Sequence, residues 1–152
     1  MSPSAQDYVA LLQLFAEYVS ALDEGDPDKV ADCFADEGVW AGGKGVQARG
    51  KQEIRSMMER RKAELDALHP GRPIYEYRRH HVTSHSLEVE NGVGTFRACF
   101  LGTLRRGNDF DTVVTGRYHG TVVKVGDQWR FQERHAILDS DSSGWSPPTE
   151  HM

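Results

Sequence analysis

Disulfides and cysteine-bound zinc are the first things this sequence excludes. It holds two cysteines in 152 residues, Cys33 and Cys99, too few for a disulfide framework or a zinc site of cysteine type. Both lie in apolar patterns and read as small buried residues, without the surroundings of an activated thiolate. Long apolar runs are lacking too. No stretch approaches the roughly 18 residues of a membrane span, and the opening Met-Ser-Pro-Ser-Ala-Gln-Asp has neither a basic nor an apolar leader region. The expectation is a cytoplasmic protein with no membrane partner. Nor is there a basic excess: 18 Lys and Arg against 23 Asp and Glu give a net charge of −5, which argues against a nucleic-acid partner. The short basic runs Arg60-Arg61-Lys62 and Arg78-Arg79 read as a solvated helix face and strand end, with no partner assigned.

What is present is ordinary globular material, 38% hydrophobic and 27% charged, in a length that one core can serve. Tyr8, Leu12, Phe15, Val19 and Leu22 recur at helical steps, widened by Leu11 and Tyr18, and predict an amphipathic helix over residues 5–22. Asp26 suits an N-cap and Pro27 a first helical position, so a second short helix is expected through Phe34. A short strand at Val39-Trp40 follows. A glycine-rich stretch then leads to a third helix carrying Ile54, Met57, Met58, Arg61, Leu65 and Leu68 and ending before Pro70.

From Tyr75 the pattern turns to strand, with runs over 77–90, 93–104, 111–125 and 128–138, the first two joined by an Asn91-Gly92 hairpin turn. Helices first and an antiparallel meander after predict an α+β domain over residues 1–138, with a polar tail over 139–152. Within the first long strand Val82 points one way in parity and Leu87 and Val89 the other, which predicts a β-bulge near Ser84 to Ser86.

Polar residues embedded in apolar pattern are the candidates for chemistry: Tyr18, Asp23, His80, His81, His85, Tyr118, His119, Arg134 and His135. A metal centre finds no support in spacing. His81 and His85 stand about 13 Å apart along a strand, adjacent His80 and His81 face opposite sides, and His80 would need Asp23 with His119 or His135 from elsewhere. No metal or other cofactor is expected. Asp23 at a helix end and His80 on a strand under that helix can meet as a carboxylate–imidazole pair, in which the carboxylate sets the tautomer and leaves the second nitrogen as a general base. Spacing alone equally allows Asp23 to end a helix and His80 to be a satisfied strand histidine.

The segments Ala21-Leu22-Asp23-Glu24-Gly25-Asp26-Pro27-Asp28 and Cys33-Phe34-Ala35-Asp36-Glu37-Gly38-Val39-Trp40 resemble the opening of the SnoaL-like branch of the nuclear-transport-factor-2-like superfamily. The likeness continues in His80-His81-Val82-Thr83-Ser84, Gly116-Arg117-Tyr118 and Trp129-Arg130-Phe131 up to Arg134. It implies a cone-shaped α+β barrel, three N-terminal helices on a curved, mainly antiparallel sheet, with a pocket between them. It also implies association through the outer sheet face as a homodimer or homotrimer. Scytalone dehydratase, bile-acid 7α-dehydratase and hexachlorocyclohexane dehydrochlorinase belong to the superfamily, and their catalytic Asp–His pair falls on Asp23 and His80. A dehydratase pocket tyrosine falls on Tyr18, and the dehydrochlorinase pocket arginine on Arg134. Trp40, Met57, Ser84, Phe100 and Tyr118 are the expected substrate-binding residues, with Ser84 standing where such sequences usually carry asparagine.

The implied activity is a cofactor-independent lyase, an elimination on a cyclic hydrophobic molecule of polyketide, steroid or aromatic type. An isomerase or aldol cyclase using the same base, and a non-catalytic binding module, are the alternatives. The acid–arginine triad of limonene epoxide hydrolases and the second acid of ketosteroid isomerases are not evident, and the chain has no obvious extension for docking as a dioxygenase small subunit.

Overall fold

Ser4 starts the first helix through a capping box: its hydroxyl accepts the Asp7 backbone N–H at 3.0 Å while Asp7 Oδ2 accepts the Ser4 N–H at 3.2 Å. In the computed structural model, which describes residues 2–141, helix α1 runs Ala5–Glu24 and ends on Gly25 in the left-handed conformation (φ 67°). Asp26 then caps α2 (Pro27–Asp32) by accepting the Lys29 N–H at 3.1 Å. Both helix starts and the break between them follow the sequence reading. The buried face of α1 is rotated from it. Leu11, Leu14, Phe15, Tyr18 and Ala21 lie inside, whereas Leu12 is 37% exposed. The two overlapping series of apolar residues left the centre of the stripe ambiguous, and packing selects the one containing Tyr18.

The remaining elements are β1 (Phe34–Ala41), β2 (Gln47–Arg49), α3 (Gly50–Leu68), a single turn α4 (Ile74–Tyr77), β3 (Arg78–Glu90), β4 (Val93–Arg106), β5 (Asp109–Val125) and β6 (Gln128–Leu138). They form one six-stranded sheet in the order β2-β1-β6-β5-β4-β3. Every pairing is antiparallel except β1 with β6, and the helices pack on one face of the sheet. The chain is thus an α+β fold with helices over a curved, mostly antiparallel sheet. Four elements departed from expectation. The strand at Val39-Trp40 begins at Phe34, because Asp36-Glu37-Gly38 makes an irregularity inside β1 between Phe34 and Val39 rather than a turn before it. The second helix accordingly stops at Asp32. Strand β2 and helix α4 are too short to leave a periodicity. Cys33 is buried as expected, but Cys99 faces out from β4.

Bulges bend the sheet around the core. The register of β3 on β4 shifts between Thr83 and Ser86, where Ser84 adopts φ 55°, so the inward parity passes from His80 and Val82 to His85, Leu87 and Val89, as the sequence implied. A second shift between Thr121 and Val122 opposes the 131–133 stretch of β6. There the inward residues change from Trp129 and Phe131 to Arg134, so this bulge turns the arginine into the cone. Of the expected tail, residues 139–141 form a one-turn 3-10 helix, with Thr115 Oγ1 donating to Asp139 Oδ2 at 2.7 Å. Trp145 and the rest of the expected tail lie outside the described residues.

Gly120 stands opposite Arg134 in the β5–β6 ladder, and a Cβ there would collide with the Glu133 carbonyl. Gly120→Ala is expected to cost about 1–3 kcal/mol, the usual range for forcing an extra carbon into a packed position. Chemical denaturation would measure it, and a stability equal to wild type would mean that the ladder yields freely beside Arg134.

Candidate active site

Asp23 sits in the last turn of α1, where the helix C-terminus disfavours a negative charge and no basic side chain offsets it. Its partner comes from the sheet. β3 is an edge strand, so alternate N–H groups have no ladder acceptor, and the His80 backbone N–H donates to Asp23 at 3.0 Å (Oδ2) and 3.2 Å (Oδ1). The His80 ring adds a bond from Nδ1 to Oδ1 at 2.6 Å. Both side chains are largely buried, 7% of His80 and 11% of Asp23 remaining exposed. A carboxylate can only accept, so Nδ1 carries the proton and Nε2 keeps its lone pair. Arg78, two residues earlier on the same face of β3, donates to that lone pair, with Nη2 at 3.2 Å from Nε2. Burial pushes the His80 pKa below its ordinary 6.5; the bond to Asp23 opposes this, and the charges of Arg78 and Arg134 add to it. His80 is therefore a neutral Nδ1–H imidazole at pH 7.

His80, with Asp23 behind it, borders a cavity of about 420 Å³ between the helices and the concave face of the sheet. Trp40 from β1, Phe100 from β4 and Tyr118 from β5 form aromatic walls, and Phe100 and Tyr118 stack at 4.1 Å. Trp40 Nε1 donates to the Tyr18 hydroxyl at 2.9 Å, which leaves the hydroxyl proton of Tyr18 available to a bound oxygen. Burial raises the Tyr18 pKa, against the opposing charge of Arg134, so the group is a phenol and a donor. Arg134 is 1% exposed, its guanidinium carbon 4.7 Å from the Trp40 ring centre, 4.8 Å from Tyr118 and 5.4 Å from Tyr18. These ring faces attract the cation, yet Arg134 Nε and Nη2 are buried without a hydrogen-bond acceptor.

The structure thus gathers Tyr18, His80, Arg134, Trp40, Phe100 and Tyr118 at one cavity, with Asp23 hydrogen-bonded behind His80. It does not bring Met57 or Ser84 there. Met57 is packed in the core beside Met58, which does line the cavity; consecutive helical positions diverge by about 100°, and the apolar pattern could not say which of the pair turned inward. Ser84, within the bulge, opens with Ser86 and His119 onto a separate depression lined from the other face of the sheet. Arg61 and Arg78 were missed. Both lie in basic runs that read as solvated, yet both line the cavity. The signal was phase: Arg78 shares strand parity with His80, and Arg61 follows Met58 by three positions on α3.

A comparison with curated proteins finds no match, whereas solved structures match over most of the chain. An NTF2-like protein with a cystatin-like fold from Novosphingobium aromaticivorans has TM-score 0.77 at 18% identity, covering 91% of this chain and 85% of its own. Aln2 from a Streptomyces species has TM-score 0.78 at 19% identity, covering 92% and 96%. ActVI-ORFA from Streptomyces coelicolor has TM-score 0.76 at 18% identity, covering 90% and 97%. At these identities the likeness is one of fold. The SnoaL-like domain family matches residues 3–135, nearly the whole described chain, and the protein belongs to that family.

Proposed function

We propose that the protein is a cofactor-independent lyase that removes water from a cyclic, largely hydrophobic hydroxylated ketone. The observation that carries this reading is the buried Asp23–His80 pair, 2.6 Å apart, at the edge of an aromatic cavity with an unpaired arginine in its wall. SnoaL-like domains include polyketide cyclases and dehydratases, which is consistent with it. His80 Nε2 takes a proton from the carbon next to the carbonyl, and the C–H electron pair passes into an enolate. Arg134 and the Tyr18 hydroxyl, both donors with free protons, stabilise the enolate oxygen. The enolate electrons re-form the carbonyl and a C=C bond as the β-hydroxyl leaves, and the imidazolium returns its proton to make water. Asp23 holds the ring and its tautomer and offsets the imidazolium charge. An isomerase would return the same proton to a different carbon, and an aldol cyclase would direct the enolate at a second carbonyl.

A binding module is favoured by one observation, the Arg78 N–H on His80 Nε2, since a base with its lone pair engaged is a resting base. Turnover separates the two readings. Incubation with a panel of cyclic β-hydroxyketones, followed by mass spectrometry, is expected to give loss of one water with wild type and not with His80→Ala. Binding of panel members by both forms with no change in mass would leave a binding protein.

His80→Gln and Asp23→Asn are each expected to lower kcat by about 10²–10⁴-fold, the span general-base catalysis contributes, with a smaller change in ligand affinity. The pH profile carries a sign. The base works when neutral, and its folded-state pKa lies below 6.5, so kcat/KM is expected to be flat through pH 7 and to fall only as pH drops through that lowered value. A decline beginning above 6.5 would assign the limb to another group.

Arg134→Met keeps the unbranched aliphatic stem of the side chain while removing the guanidinium, a buried charge that has no counter-ion among the described residues. Replacing such charges by apolar groups is commonly neutral or stabilising. The thermal midpoint of the free protein is expected to hold or rise while turnover collapses. A large fall in the midpoint would make Arg134 a structural residue.

A further inference from the structure

The cavity is cationic in a chain of net charge −5. Among the described residues, Arg61, Lys62, Arg78 and Arg134 line it, and Asp26 is the one carboxylate that does. That carboxylate is engaged, with Oδ1 on the Lys29 N–H and Oδ2 3.5 Å from Lys29 Nζ. Asp23 stands behind His80, and Lys62 lies 2.6 Å from Asp66. Among the described residues no carboxylate comes within ion-pair distance of Arg61, Arg78 or Arg134; Arg78 makes the one side-chain hydrogen bond to His80, and the other two make none. The three line one cavity. Arg61 and Arg134 sit over the same Trp40 ring, at 5.2 Å and 4.7 Å, and the charge of Arg61 adds to burial in depressing the Arg78 pKa. Guanidiniums around one cavity with no counter-ion repel one another, and the deepest has two buried N–H groups with no acceptor among the described residues. Such a cluster is complementary to an anion with planar, forked acceptors.

We propose that the substrate is an organic acid, a cyclic compound bearing a carboxylate that Arg61 and Arg78 bind at the cavity mouth while its ring system lies against Trp40, Phe100 and Tyr118 and a ring oxygen reaches Arg134. Arg61 is solvent-exposed and Arg78 half-buried, which sets the carboxylate near the entrance and the rings inside. A carboxylate is a stronger acceptor for Arg78 than the neutral imidazole it now caps. Binding the acid therefore draws Arg78 from His80 Nε2 and releases the lone pair. In this way the charge of the substrate uncaps the base. That last role rests on the lyase reading; the anion site does not.

The test uses the whole protein and matched probes: naphthoate against naphthalene carboxamide, and anthracene carboxylate against its carboxamide, by calorimetry at pH 7. At low salt the acid of at least one pair is expected to bind about tenfold more tightly than its amide, the scale of a charged hydrogen bond. The preference should shrink as salt rises and largely vanish in Arg61→Gln and Arg78→Gln, with amide affinity falling by much less than that of the acid. No preference for the acid in either pair, absence of binding included, overturns the anion site, as does a preference that both substitutions leave intact. In nitrogen-15-labelled protein the His80 Nε2 resonance should move with the acid and stay with the amide; a resonance unmoved by a bound acid overturns the uncapping. Turnover is not read in these measurements. A protein that prefers acids but removes no water keeps the anion site and loses the lyase, and the reverse pattern does the opposite.

Discussion

The carboxylate of Asp23 joins the end of α1 to the first residues of β3, and both the packing and the chemistry depend on that contact. It takes two donors from one residue, the backbone N–H and the ring Nδ1–H of His80, across 57 positions of chain. The backbone bond satisfies an edge-strand group that the sheet leaves unpaired, and the ring bond chooses the tautomer. Neither position is favourable by itself: a carboxylate at a helix C-terminus opposes the helix dipole, and a buried imidazole resists charge. Together they form a satisfied pair whose remaining nitrogen faces Arg78. A helix end that would otherwise fray becomes the point from which the His80 ring is oriented.

The cavity persists because the core around it is made of rings that brace one another. Phe15 on α1 contacts Phe96, Phe131 and His85 with ring centres 5.0–5.3 Å away, and Tyr18, one turn on, packs edge-on against Phe34, Phe131 and Tyr118. These contacts fill the end of the cone where Leu11, Phe96 and Phe131 are fully buried. Toward His80 and Arg134 the same helix presents Ala21, and the sheet thins its wall with Gly102 and Gly116; a Cβ at Gly116 would fall 2.8 Å from the Phe100 ring. One end of the cone is packed solid and the other is left open by small residues, with the polar groups at the open end.

The fold was largely legible in the sequence because its signals were local. Asp26 as a cap, Pro27 as a first helical position and the parity change from Val82 to Leu87 each rest on a few residues and elementary stereochemistry. What eluded the sequence depended on partners distant in the chain. Phe34 reads as the end of a helix until Phe131 is beside it in the parallel pairing of β1 with β6. The inward turn of Arg134 comes from a bulge whose other half is the shift between Thr121 and Val122 in β5. At the site, Asp23, His80, Tyr18 and Arg134 were found by resemblance and by being polar in apolar surroundings. Met57 was assigned to a cavity that Met58 occupies, and Arg61 and Arg78 were passed over because a basic run reads by composition as solvent-facing. Parity with His80 carried the missing information for Arg78.

Local preference and observed structure part company in the same few residues. Asp23 lies at the wrong end of a helix for its charge, Ser84 in a left-handed conformation beside the active strand, and Arg134 buried with donors unmet. A sequence under selection for stability alone has more stable choices at each place: a basic residue at the helix end, glycine in the bulge, an aliphatic side chain in the wall. Two of the three converge on one cavity, and the third shapes the strand that carries His80 to it. The free protein holds unmet hydrogen-bonding capacity where a ligand oxygen would lie, so binding such an oxygen relieves a cost already present in the fold. That preorganisation lets a small α+β domain concentrate positive potential where a ligand oxygen would lie.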